Sequence, residues 1–184
     1  MQVRIALAGV AVLLGTAVAA ALLRRWRHAT VLTYGMSLIV CLAMLGTGCH
    51  YLALNGALAQ ALHLPFGLPW TGSDLRLDAL SAFFVVVVNL GGAGASLFAI
   101  GYGQHETAPG RVLPIYPLFL ASMNLVVLAA DGFSFLFAWE FMSVSSWALV
   151  LTHHQDANNR RAAYVYILMA SFGTLALLLS LIHI

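Results

Sequence analysis

Lysine is absent from this 184-residue chain, and its eight basic residues are all Arg. Acids are as scarce, six in all, so charged residues make up 8% where a soluble domain carries roughly 25%. So few charges cannot coat a water-facing surface, which excludes a soluble globular domain. A hydrophobic content of 62% excludes a disordered chain. A net charge of +2, with no basic patch large enough to pair with a run of phosphates, excludes a nucleic-acid partner. Cysteine is limited to Cys41 and Cys49, two turns apart on one stretch, where a single helix offers no normal disulfide geometry. No metal-ligand cluster, Gly-rich phosphate loop or nucleophile constellation is visible, so no catalytic residue, metal ligand or cofactor is expected. His153-His154 reads as a solvated pair at a membrane boundary, because a zinc-type site needs about three or four converging ligands. With a mean hydropathy of +0.94, what remains is an integral membrane protein with the lipid bilayer as its solvent.

A helix needs about 20 apolar residues to cross a hydrocarbon core of ~30 Å. The charged residues divide the chain into segments of that size: Val3–Leu23, Thr30–Leu54, Ala79–Gly101, Leu113–Ala130, Phe133–Thr152 and Ala162–Ile182. The fourth and fifth come from one long apolar stretch, split at the turn signal Asp131-Gly132. The expected fold is all-α, a single transmembrane bundle of six spans. A β-barrel is excluded because the runs do not alternate polar with apolar. With Met1 outside, the inner connections hold Arg24, Arg25, Arg27, Arg111, Arg160 and Arg161, and the outer side holds only Arg4 and Arg76. That bias puts both termini outside. Ala17-Val18-Ala19 resembles a signal-peptide cleavage site, but the three Arg that follow hold that end inside, so an uncleaved helix is expected. The connection Asn55–Leu77, with Pro65, Gly67, Pro69 and Gly72, is expected to form turns and irregular structure over the helix ends. Trp70 and Tyr102 lie near the interfaces.

Glu140 is the informative residue. It stands near the middle of the fifth span, where insertion of a charge costs about 2.5–3.5 kcal/mol. Burial disfavours the charged form, and a carboxyl poised between its two forms can take up and release a proton. Intramembrane acids are functional by default, so Glu140 is expected to relay protons; the bland alternative is a neutral carboxyl that bonds neighbouring helices. Ser143, Ser145 and Ser146 are expected to satisfy backbone carbonyls or ease helix approach. Asp131 is a turn residue first, and its carboxylate at an outer helix end could begin or finish a proton path. His183, near the outer end of the sixth span, is a second candidate for that path; His50, near that of the second, has the same chemistry, and the bland alternative for both is an interfacial His. Asn89 and Asn124 are expected to hydrogen-bond between helices, and Gly91-Gly92-Ala93-Gly94-Ala95 to let a neighbour pack closely.

Several motifs in order then carry a resemblance. Phe135-Leu136-Phe137-Ala138-Trp139-Glu140-Phe141-Met142-Ser143 resembles the fifth-helix motif of the antiporter-like subunits of complex I and its relatives. Leu75-Arg76-Leu77-Asp78-Ala79-Leu80-Ser81-Ala82-Phe83-Phe84 is similar to the start of that family's third helix, and Ala121-Ser122-Met123-Asn124 with Ala130-Asp131 also fits. Met142-Ser143-Val144-Ser145-Ser146-Trp147 and His153-His154-Gln155-Asp156, followed by Arg160-Arg161-Ala162, resemble hydrogenase-4 component B and formate hydrogenlyase subunit 3. The resemblance covers Leu75 to about Leu179, and the first two spans only by topology.

The resemblance implies a proton-translocating membrane subunit of a hydrogenase or NADH/quinone oxidoreductase-type complex in a bacterial inner membrane, with the redox chemistry in other membrane and peripheral subunits. It also implies kinship with subunits of multisubunit cation/proton antiporters. Glu140 matches the family's fifth-helix glutamate. That glutamate works beside a lysine on the seventh helix, and this chain has no lysine. The sixth-helix His of some hydrogenase-type relatives is missing from Leu168-Met169-Ala170-Ser171-Phe172-Gly173. The family's half-channel is therefore incomplete here, and the chain is expected to be the N-terminal part of a longer subunit or a truncated, non-pumping fragment.

Overall fold

The structure is a computed structural model that describes residues 2–23, 26, 28–54, 59–68, 72–103 and 109–183. Arg24, Arg25, Arg27, Pro69 and Trp70 lie outside the described residues. Six helices are long and apolar enough to cross a membrane: α1 (Gln2–Leu22), α2 (Ala29–Leu54), α3 (Ala79–Tyr102), α4 (Pro109–Leu128), α5 (Gly132–Val150) and α6 (Ala157–Ile182). A single 3₁₀ turn, Leu151–His153, closes α5. Hydrophobic length sets the six spans, and caps set where they start. Asp78, Asp131 and Asp156 each stand before a helix and accept a backbone N–H from Ser81, Ser134 and Asn158, satisfying donors that the first turn leaves orphaned.

Three departures from the sequence expectation exceed two residues. The α6 helix begins at Ala157, five residues before Ala162, because the Asp156 cap draws Arg160 and Arg161 into the helix. The α4 helix begins at Pro109, a first helical position that proline suits, and ends at Leu128, after which Ala129 bridges to Leu75. The third is the connection expected to be irregular, which holds a two-stranded antiparallel hairpin, β1 (Gln60–Leu68) and β2 (Gly72–Leu77). Gln60 pairs with Leu77 and Leu64 with Ser73. Leu75 and Leu77 are buried while Asp74 and Arg76 are exposed, the period-two alternation of a half-buried strand. Gly72 has φ +67°, and a Cβ there would lie 2.8 Å from the Leu64 carbonyl oxygen, so this turn requires glycine.

The hairpin defines one end of the bundle. Gln2 of α1, His50 of α2 and Asp131 before α5 join it through hydrogen bonds to Gln60, to Gln2 and to Asp74 respectively. Arg4 and Arg76 belong to this end. At the opposite end Arg111 donates to the Thr152 carbonyl (3.4 Å) and to His154 Nδ1 (3.2 Å), and Arg160 to the carbonyls of His154 and Gln155. The described Arg residues therefore divide between the ends as the positive-inside reading groups them.

The core runs through α1–α4, with Leu13, Cys41, Met44, Tyr51, Ala82, Val85 and Ala121 almost wholly buried. The glycine-rich run of α3 acts through one residue. A Cβ on Gly92 would lie 2.9 Å from Cys41 Sγ and 3.0 Å from Leu120 Cδ2, whereas Gly91 and Gly94 face open space. Gly92→Leu is expected to lower stability by about 1–3 kcal/mol through overpacking, and Gly94→Leu to leave it unchanged. Equal thermal midpoints for the two variants in detergent would contradict this packing. By contrast α6 touches mainly α5 and leaves Met169 and Phe172 about 70% exposed.

Candidate functional site

Glu140 is the ninth residue of α5, about 12 Å from its start at 1.5 Å per residue, and is half-buried. Among the described residues it makes no hydrogen bond and no ion pair. No fully buried side-chain oxygen or nitrogen lacks a partner among them, so the Glu140 carboxylate is not fully enclosed. Leu136 and Ser143, four residues before and three after, are its neighbours along the helix. Ser134, Ala138 and Ser145 are buried and recur on the other side of α5, which meets the hairpin and α4 through Ser73···Ser134 at 2.5 Å and Ser122···Ser145 at 3.2 Å. Glu140 thus lies on the other side of α5 from this contact, beside Ser143, which is itself buried.

A cavity of about 410 Å³ lies between α1, α4, α5 and the hairpin, lined by Leu7, Leu64, Leu75, Leu125, Phe133, Phe137 and the Ser73–Ser134 pair, and it ends at Ala138. Two residues along a helix turn about 200°, so the cavity does not open onto Glu140.

Asp131 is a cap and a pin. One carboxylate oxygen accepts the Ser134 N–H and the other the Asp74 N–H, both at 2.8 Å, while Ala130 N–H donates to the Asp74 carbonyl at 2.8 Å. Burial pushes the Asp131 carboxyl up, and the hydrogen bonds from Ser134, Asp74 and Phe133 outweigh it and hold the group below the usual carboxylate range. Asp78 is also held low, first by the Ser81 N–H, against an opposing effect of burial, with help from the Ser81 hydroxyl and from Arg76 at 3.2 Å. Depressed carboxyls stabilise the fold above their ordinary value, about pH 3.9, and that stability is lost as pH falls through the lower folded value. Asp131→Ala, which removes both cap and pin, is expected to cost about 1–2 kcal/mol at neutral pH and much less at pH 2, measured by thermal unfolding. A penalty independent of pH would contradict the charged cap.

The structure does not bring the proposed path residues together. Asp131 lies about 14 Å from Glu140 along the α5 axis. His183 caps α6 at the hairpin end, where Leu181 approaches Gly132, and its Nδ1 donates to the Leu179 carbonyl at 2.6 Å. His154 is exposed beside Arg111. Ser143 and Ser145 satisfy backbone carbonyls, donating to Trp139 and Met142 respectively, and Ser122 donates in the same way to Phe119. Asn89 and Asn124 do join α3 to α4, with Asn89 Nδ2 to Asn124 Oδ1 at 2.7 Å and both residues fully buried. Two features escaped the sequence reading: the His63–Asp74 pair across the hairpin (2.7 Å) and a ladder of Gln60, Gln2 and His50. A period-two strand reading of residues 60–77 would have exposed the first; nothing local marks the second.

No protein-family model matches the chain. Similarity to individual proteins is extensive. An uncharacterised protein of Mycobacterium tuberculosis is 35% identical over 138 residues, 74% of this chain and 21% of its own length. Hydrogenase-4 component B of Escherichia coli is 33% identical over 122 residues, 62% of this chain and 18% of its own. The proposed antiporter subunit mnhA2 of Staphylococcus epidermidis is 34% identical over 117 residues, 60% of this chain and 15% of its own. The chain thus spans about a fifth of the length of these relatives or less. These relatives, with six helices long and apolar enough to cross a membrane, match the superfamily that the motifs resemble, the antiporter-like membrane subunits of complex I and group 4 hydrogenases.

Proposed function

We propose that this chain is part of a longer proton-translocating membrane subunit, and that Glu140 is its intramembrane proton relay. The observation that carries the reading is an acid at mid-depth of α5, half-buried and without a partner among the described residues. A carboxylate open to lipid costs about 2.5–3.5 kcal/mol, so the reading requires that Glu140 be covered. The uncovered α6 and the far greater length of the relatives support further helices of the same subunit as the cover. A cation brought close by those helices favours the carboxylate and releases the proton; its withdrawal favours the acid and takes one up. The hairpin end faces outward by the Arg distribution, both termini with it, and Asp131 and His183 are assigned to the outer mouth of the path.

The membrane is assigned as a bacterial inner membrane, and the partners as other membrane and peripheral redox subunits, by similarity to hydrogenase-4 component B. A second reading, a subunit of a multisubunit cation/proton antiporter, draws on the mnhA2 relatives. The two separate in proteoliposomes of the purified complex. Proton movement that requires an electron donor supports the first, and movement driven by an imposed ion gradient alone supports the second. A truncated fragment that pumps nothing predicts no flux under either drive. Glu140→Gln in the full-length protein tests the relay itself, and unchanged proton flux with intact assembly would sink it.

A further inference from the structure

At the end of the bundle opposite the hairpin, two arginines from first helical turns meet on one residue. Arg111 of α4 donates from Nη1 to the Thr152 carbonyl at 3.4 Å and to His154 Nδ1 at 3.2 Å. Arg160 of α6 donates from Nη1 to the carbonyls of His154 at 2.9 Å and Gln155 at 3.2 Å. The two guanidinium groups therefore both reach His154. A guanidinium has no acceptor, so His154 Nδ1 must accept, and the imidazole is neutral with its hydrogen on Nε2. Each arginine uses Nη1 alone in these contacts. The Nε–Nη2 edge is a fork that can take a phosphate through two parallel hydrogen bonds. In both arginines it meets no partner among the described residues, and neither does the His154 Nε2–H.

No carboxylate answers these donors among the described residues. Arg111, Arg160 and Arg161 are exposed and make no ion pair there. Asp156, the one acid described at this end, accepts the Asn158 N–H at 2.9 Å as the cap of α6. The hairpin end differs, because Arg76 pairs with Asp78 and His63 with Asp74. The unpaired cations stand where the helices end, at the level of lipid headgroups, and the surface beneath them is apolar. Tyr164, one turn on from Arg160 and on the same face of α6, is 63% exposed, and Leu168, a turn further, is 50% exposed. Cations at the boundary with an apolar strip directly beneath match an amphiphile. An acidic segment held in water would match the cations and leave the strip uncovered.

We propose that Arg111, Arg160 and the His154 Nε2–H hold the phosphate of one net-anionic glycerophospholipid, with an acyl chain laid along Tyr164 and Leu168. The carbonyls of Thr152, His154 and Gln155 act as positioning groups: they engage both Nη1 atoms and leave the Nε–Nη2 edges for the ligand. Two cations with no carboxylate beside them select a net-anionic headgroup over a zwitterionic one, whose own ammonium they repel. The proposal is independent of the role of Glu140.

The test is photolabelling of the full-length protein in phosphatidylcholine nanodiscs that carry a trace of phosphatidylglycerol with a diazirine beside its headgroup. Peptide mapping is expected to place the label around Arg111 and on residues 152–168. Replacing the phosphatidylcholine by unlabelled phosphatidylglycerol is expected to lower that labelling about fivefold or more, the scale of one favourable charge contact. The double variant Arg111→Gln/Arg160→Gln keeps side-chain donors for the carbonyls and removes both charges, so the two lipids are expected to compete equally in it. Equal competition in the unaltered protein overturns the proposal, as does an undiminished preference in the folded double variant. Should that variant fail to fold, the location of the label and the competition in the unaltered protein decide alone. Absence of label from these segments assigns the surface to a later helix or to a partner subunit and overturns the proposal as well.

Discussion

On the proposed relay role, replacing Glu140 with Gln is expected to leave the full-length protein assembled and to lower proton flux on the order of a hundredfold, the scale of a lost proton-transfer group. Gln keeps the size of the side chain and its hydrogen-bonding capacity, and removes only the titratable proton. Assembly survives because Glu140 makes no hydrogen bond or ion pair among the described residues that the change could break. Removing a charge from mid-depth also relieves part of an insertion cost of about 2.5–3.5 kcal/mol, so the variant should be at least as stable as the parent. A structural carboxyl gives the reverse pattern: flux unchanged, with stability or assembly altered. Glu140→Asp separates the two further. It retains the proton but shortens the reach by one methylene, so partial flux with a changed rate is expected of a relay. The readout is proton uptake into proteoliposomes beside the yield of assembled complex.

The second large effect is expected at the α3–α4 seam. Asn89 and Asn124 are fully buried, and each amide nitrogen also donates to the carbonyl one turn back, at Val85 and Leu120. Asn89→Leu keeps the branching at Cγ, adds bulk, and leaves Asn124 Oδ1 without its 2.7 Å donor. An orphaned buried acceptor costs about 1–3 kcal/mol, although pairs within membranes average nearer 0.6 kcal/mol. The double variant Asn89→Leu/Asn124→Leu removes both members, so it should cost less than the sum of the single changes. Strict additivity in thermal unfolding would show that the pair is not coupled.

Much of the fold is written locally. The 40-residue apolar stretch Leu113–Thr152 cannot be one span of ~30 Å thickness with an Asp-Gly in the middle, and the break between α4 and α5 falls there. The hairpin was missed because its glycines and prolines read as turns. The alternation Ser73-Asp74-Leu75-Arg76-Leu77 needs a partner strand and a buried floor before it can be told from a loop. The α6 helix starts before its apolar run for a related reason: hydropathy marks where a helix enters lipid, whereas the Asp156 cap marks where its hydrogen bonds begin.

The candidate site divides in the same way. Glu140 is legible alone, because a charge inside an apolar run is conspicuous at any packing. Its orientation is not. Only the tertiary structure puts Ser134 and Ser145 against the hairpin and α4 and leaves Glu140 on the other side of α5. Asp131 read as a turn residue, and it became a pin only when residue 74, fifty-seven positions earlier, supplied an N–H to it. The amide ladder likewise joins Gln2 and Gln60 across fifty-eight positions. The number of spans, their membrane character and the one acid at mid-depth are local properties, because length and hydropathy act within a single helix. Which polar groups meet and which remain open depends on packing between residues far apart in the chain, and no local pattern encodes that.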